Sequence, residues 1–128
     1  MAKSAGVAPK LIVTSPYKRA VETAEIAASV LGYKDELLRT KALIPDSDPH
    51  SVWEEVRVHK DNEQMLLVGH EPLFSHLTAH LLACPTLQID FKKGAIVRVD
   101  LEQFGVQPRG ELRWFLTPRL AMTSGNNR

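Results

Sequence analysis

Cysteine is almost missing from this chain. Cys84 is the only one among 128 residues, so no intrachain disulfide can form and no zinc site can be built from paired cysteines. Long hydrophobic runs are missing too: stretches such as Met65 to Val68 fall far short of the roughly 20 apolar residues needed to cross a bilayer. Neither sign of charge dominates. Lys plus Arg number 16 against 15 Asp plus Glu, a formal charge of +1, which supplies no field to draw nucleic acid or a membrane surface. Any anion site must therefore be local. No secretory leader is visible, and a reducing cytoplasm is the expected compartment.

What is present suits a globular fold, with 44% hydrophobic and 24% charged residues. The length fits one domain, expected over residues 1–122, with a polar, disordered tail over 123–128. Leu11, Ile12 and Val13 read as a short buried strand stopped by Ser15 and Pro16. A helix is expected to start there, capped by Ser15, with Pro16 in its first turn and Gly32 ending it. Its buried face would hold Ala20, Thr23, Ala24, Ala27 and Leu31. Residues 34–49 read as an irregular connection rich in Pro and Asp.

A short helix over 50–59 would bury Val52, Trp53 and Val56, leaving Glu54, Glu55 and Arg57 outside. Met65, Leu66, Leu67 and Val68 form a second buried strand ending at Gly69, His70, Glu71 and Pro72. Pro72 is expected to open a helix through about Ala83 that buries Leu73, Leu77 and Leu81. Beyond Pro85 the pattern alternates, predicting one strand through Leu87, Ile89 and Phe91 and another through Ala95, Val97, Val99 and Leu101, joined around Lys92, Lys93 and Gly94. Residues 112–116 form the last strand, which Pro118 stops. The order implies an α/β layered domain with a mixed sheet.

Two strand ends that become helix starts are the features with chemical content: TSPYKR at 14–19 and VGHEP at 68–72. In an α/β sheet the carboxyl ends of strands share a crevice where ligands bind. Each new helix offers free N–H groups and its positive dipole end to an anion. Arg19 can grip two phosphate oxygens with its fork, and His70 can donate to a third or move a proton. Alone, Arg19 reads as a solvated charge and His70 as a turn residue. The repetition of one design at two converging strand ends favours the anion reading.

Other constellations carry less. His70 and Glu71 do not begin a metalloprotease motif, since Phe74 stands where the second histidine is needed and Pro72 intervenes. His76 and His80 lie four apart without a third ligand, so exposed helix positions are expected and no metal or cofactor is called for. Lys92 and Lys93 either help an anion site or guard an edge strand.

SPYKRAVETA resembles the SPxxRAxxTA segment of the histidine phosphatase superfamily, and VGHEP resembles its second signature. KKGAIVRVDL and ELRWFLTPRL resemble the SixA-type phosphohistidine phosphatases in particular. The similarity spans nearly all of residues 7–120. It implies a three-layer α/β/α sandwich with a mixed, mostly parallel sheet, as in phosphoglycerate mutase, and metal-independent phosphoryl transfer through a phosphorylated histidine. On this resemblance Arg19 matches the phosphate-clamping arginine, His70 the second pocket histidine, and Ser15 the turn that shapes the pocket. Glu71 completes the expected phosphate-binding set with Ser15, Arg19 and His70; of its two readings, a general acid or a structural carboxylate, its place beside a helix start favours the second.

One element of the family pattern is missing. Its first strand ends in an Arg-His-Gly triplet that carries the nucleophile, and no such triplet occurs here. Residues 1–8 resemble the end of the helix that precedes the TSP strand, so an N-terminally truncated frame is expected. The resemblance implies that the triplet's strand lies inside the sheet, so neighbouring strands are expected to have open edges or to pair with each other, with self-association through an edge. The expected substrate is the phosphoryl group of a phosphohistidine protein or a small phosphomonoester. The alternative is an inactive phosphate-binding or protein-interaction module that keeps the pocket's cationic half.

Overall fold

Leu11, Ile12, Val13 and Thr14 form β1 (Leu11–Thr14), the middle strand of a parallel three-stranded sheet. Uninterrupted apolar sequence suits a strand covered on both faces, and Ile12, Val13 and Thr14 are buried. The computed structural model describes residues 6–116. It divides into two compact units, Met1–Leu73 and Phe74–Arg128.

In the first unit, β1 leads into α1 (Lys18–Leu31), which ends at Gly32 in the left-handed conformation, φ 72°. Gly32 and Tyr33 return their N–H groups to Ser29 and Ala28, so the expected glycine stop is present. The helix starts later than expected. Tyr17 occupies the N-cap position, while the Ser15 hydroxyl accepts the Tyr17 N–H at 3.1 Å in a local turn, which leaves Pro16 outside the helix. Ala20 and Ala24 are buried and Ala27 and Leu31 partly so, but Thr23 is exposed, because the buried stripe is narrow and made of small residues.

The connection after α1 is more ordered than its composition suggests. It contains β2 (Leu38–Arg39), parallel to β1 with Val13 opposite Leu38, and a 3₁₀ turn over Lys41–Leu43. The Thr40 hydroxyl accepts the Ala42 N–H at 3.1 Å and donates to Glu55 Oε1 at 2.7 Å, and Glu55 Oε2 lies 3.2 Å from His59 Nε2. That chain ties the segment to α2 (Pro49–Val58). Asp48 caps α2 by accepting the Ser51 N–H at 2.9 Å, and Val52, Trp53 and Val56 are buried as their spacing requires.

β3 (Met65–Val68) runs parallel to β1 in the register Leu11 to Met65 through Thr14 to Val68. The two strands pair directly. β3 is the end strand of the described sheet, and its four residues are partly exposed where full burial was expected. The Gln64 and Val68 carbonyls accept from Lys10 and Ser15, so even-numbered backbone groups of the strand face β1. By the alternation of an extended chain, the N–H and C=O of Met65 and Leu67 point to the outer edge.

In the second unit, α3 (Leu73–Leu81, beginning at the unit boundary) starts one residue after Pro72, which is joined to Glu71 by a cis peptide bond. Leu73 and Leu77 are buried as expected, with Thr78 and Ala79; Leu81 is partly exposed. β4 (Ile96–Asp100) and β5 (Glu111–Leu116) form an antiparallel pair with an irregularity between Arg98 and Val99. Residues 87–91 are not a strand, and no hairpin forms around Lys92, Lys93 and Gly94. The segment is anchored by Phe91, whose ring meets Phe74 edge-on at 6.1 Å and Phe115 at 5.4 Å, while β5 takes the available edge of β4.

Among the described residues, the parallel sheet and the β4–β5 pair share no strand, where one mixed sheet was expected. Among those residues no helix is long and apolar enough to cross a membrane. Gly6, Val7 and Ala8 are not helical. The rest of the expected N-terminal helix end, the stop at Pro118 and the tail over 123–128 lie outside the described residues.

Candidate functional site

The carboxyl ends of β1 and β3 are neighbours because the strands are parallel, adjacent and in register to their last residues, Thr14 and Val68. The chain leaves β1 through Ser15 and β3 through His70, and the two side chains meet: Ser15 Oγ lies 2.8 Å from His70 Nε2. Ser15 is fully buried, and its N–H extends the ladder to the Val68 carbonyl at 2.9 Å. Its hydroxyl is thus a fixed point, receiving the Tyr17 N–H and pairing with the imidazole.

Partial burial lowers the His70 pKa below its ordinary value, because desolvation penalises the imidazolium. In the neutral ring an unprotonated Nε2 can accept the Ser15 hydroxyl proton; once protonated, Nε2–H can donate to the same oxygen. The contact therefore survives a change of charge. Tyr17, to which the sequence pattern assigns no role, adds a ring 5.3 Å from that of His70 at an interplanar angle of 57°. Its signal was only its place, an aromatic residue between the strand end and Arg19.

Arg19 is exposed in the first turn of α1, and its guanidinium makes no hydrogen bond or ion pair with any described residue. The helix has no side-chain cap and no acidic residue in its first turn; Lys18 and Arg19 instead place positive charge at the positive end of the dipole. Each such placement costs a few tenths of a kcal/mol, and an anion there would reverse the sign. Glu71 is exposed at the turn into α3. The structure thus joins Ser15, Tyr17 and His70 by contact; Arg19 stands two residues from Tyr17 on α1, and Glu71 adjoins His70 in the chain.

The remaining candidates fall elsewhere. Lys92 and Lys93 precede β4 rather than flanking a hairpin turn, and Lys92 pairs with Asp90 at 3.1 Å. His76 is exposed on α3 as expected, whereas His80 is half-buried, against expectation, because it shares the turn that buries Leu77 and Ala79. No group of three His, Cys, Asp or Glu side chains able to hold a metal occurs among the described residues.

No family model matches the chain, and no curated protein matches it significantly. Among solved structures it is similar to the protein histidine phosphatase SixA complexed with tungstate, with a TM-score of 0.78 and 24% identity, over 92% of this chain and 74% of that one. An α/β chain that superimposes so extensively, with its first strand-to-helix turn and its β3 end joined at Ser15 and His70, has the histidine-phosphatase fold of the SixA kind.

Proposed function

We propose that this chain is the phosphoryl-binding part of a phosphohistidine phosphatase, receiving the phosphoryl group of a phosphohistidine protein or of a small phosphomonoester where β1 and β3 end together. The observation that carries this reading is the 2.8 Å contact between Ser15 and His70, which gathers a hydroxyl and an imidazole beside the uncapped, cationic start of α1. SixA was solved with tungstate, a tetrahedral oxyanion like phosphate, which supports an oxyanion-receiving role for the same fold here.

The roles follow from charge. Phosphoryl transfer places negative charge on three equatorial oxygens, and catalysis rests chiefly on positioning and neutralising it. Arg19 grips two oxygens with its guanidinium fork, the first-turn N–H groups of α1 meet the third, and His70, whose Nε2 is held by Ser15, donates from Nδ1. Ser15 orients His70, and Glu71 closes the rim as a carboxylate. No metal takes part.

In the complete reaction a histidine nitrogen attacks phosphorus, the substrate's P–N bond breaks, its imidazole takes up a proton, and water then releases phosphate from the enzyme histidine. None of the five histidines of this sequence stands in an Arg-His-Gly triplet, so we assign the nucleophile to a segment outside it. Without a nucleophile hydrolysis slows by several orders of magnitude while anion binding persists. The open outer edge of β3 supports self-association or the docking of a further strand.

Calorimetric titration with tungstate and phosphate tests the binding site. The chain should bind both, and Arg19→Ala should weaken binding about tenfold or more, as expected for losing a charge-assisted pair. Unchanged affinity in Arg19→Ala would remove the pocket assignment. Turnover separates the two forms of the reading: histidine labelling and fast hydrolysis of phosphohistidine by this chain alone would show that it holds its own nucleophile, and binding without turnover fits either the assigned missing nucleophile or an inactive phosphate-binding module.

A further inference from the structure

Tyr17 is the largest side chain at the site, and the phosphoryl chemistry above gives it no work. Its position is nonetheless pinned: Pro16 restricts the chain before it, its N–H goes to Ser15 Oγ at 3.1 Å, and its carbonyl takes the Val21 N–H at 3.0 Å to start α1. Its phenol makes no hydrogen bond to a described residue. Its ring lies against His70, yet the residue remains 48% exposed. A held, half-open aromatic ring beside a polar strand end is a surface available to a ligand.

We propose that Tyr17 determines specificity, forming the wall on which the flat imidazole of a phosphohistidine lies while its phosphoryl group is held beside His70. This rests on the phosphoryl-binding reading above. Nε2 of His70 is taken by Ser15, so a phosphoryl oxygen bonds the other ring nitrogen, Nδ1, at about 3 Å. Two further bonds, from oxygen to phosphorus and on to the leaving group, give a planar substituent the reach to meet Tyr17, whose ring stands within 5.3 Å of the imidazole. Rings interact favourably at centroid separations of about 4.5–7 Å, and the Tyr17 centroid is 5.3 Å from that of His70. A phosphoserine offers a single methylene at this point and has no face to stack. Tyr17 therefore selects N-phosphoimidazole over alkyl phosphates without touching the transferred group.

Three probes separate this role from a positioning effect on His70: a peptide bearing a hydrolysis-resistant phosphohistidine analogue with an intact heteroaromatic ring, the same peptide with phosphoserine, and inorganic phosphate. Titrated calorimetrically, the chain should prefer the ring-bearing peptide. Tyr17→Leu should lose roughly three- to tenfold affinity for that peptide alone, the usual worth of one aromatic pair, and Tyr17→Phe should retain it. If Tyr17→Leu weakens all three probes alike, Tyr17 acts only by placing His70 and the proposal is overturned; equal affinity for both peptides in every variant overturns it too. Failure of inorganic phosphate to bind the unaltered chain would instead remove the phosphoryl-binding reading, and this proposal with it.

Discussion

The hydroxyl of Ser15 serves two partners at once, His70 Nε2 at 2.8 Å and the Tyr17 N–H at 3.1 Å, from a fully buried position. Ser15→Ala leaves both without their partner. We predict a loss of about 1–2 kcal/mol in urea unfolding, the cost of stranded polar groups, together with several-fold weaker tungstate binding as the imidazole gains rotational freedom. Stability and affinity both at the level of the unaltered chain would show that the contact holds nothing in place.

His70 gives a pH signature. Its pKa is lowered by desolvation, so on acidification the unfolded chain takes up this proton first, near the ordinary value of 6.5. The contribution of the neutral ring is therefore complete above that value, and stability falls as pH drops from 6.5 to the folded-state pKa. In an NMR titration the His70 ring should titrate below the usual histidine range and shift upward when tungstate binds. The same pH series on His70→Gln should lack this component.

Asp48 accepts the Ser51 N–H at 2.9 Å, and hydrogen bonding to Ser51 lowers its pKa below 3.8. Asp48→Ala should cost about 1 kcal/mol in thermal or urea unfolding, and Asp48→Asn much less. The ionised cap contributes fully above pH 3.8 and is lost as pH falls through its depressed folded-state pKa. An acid unfolding profile identical in Asp48→Ala would argue against the cap.

Gly110 is a packing requirement. Its N–H donates to the Leu81 carbonyl at 2.6 Å, and a Cβ there would meet Val99 Cγ1 and sit 2.8 Å from the Leu81 oxygen. Gly110→Ala should destabilise by about 1–3 kcal/mol, the usual cost of overpacking. Gly105→Ala, with nothing within 4 Å, is the internal control and should be nearly neutral.

Much of the first unit was legible in the sequence because periodicity and punctuation agree there. The apolar runs at 11–13 and 65–68, the glycine at 32 and the Val52, Trp53, Val56 triplet each admit one local solution. What was misread depended on partners. Thr23 fits the inner face of α1 by spacing, yet only a two-alanine stripe is fully covered. Phe91 alternates like a strand residue, but the alternation serves an aromatic cluster with Phe74 and Phe115. At the site, Ser15 and His70 could be nominated from their strand ends, whereas Tyr17 could not, since only the fold reveals that its ring lies beside an imidazole 53 positions away in the chain.

The outward-facing backbone of β3 has a consequence in time rather than in space. Alternate amides along one short strand should keep different clocks in deuterated water. Met65 and Leu67 should exchange on the schedule of exposed peptide groups, while Leu66, turned toward β1, waits for the sheet to open. Any strand that docks on that edge would write itself into the spectrum as slow exchange at the two odd positions.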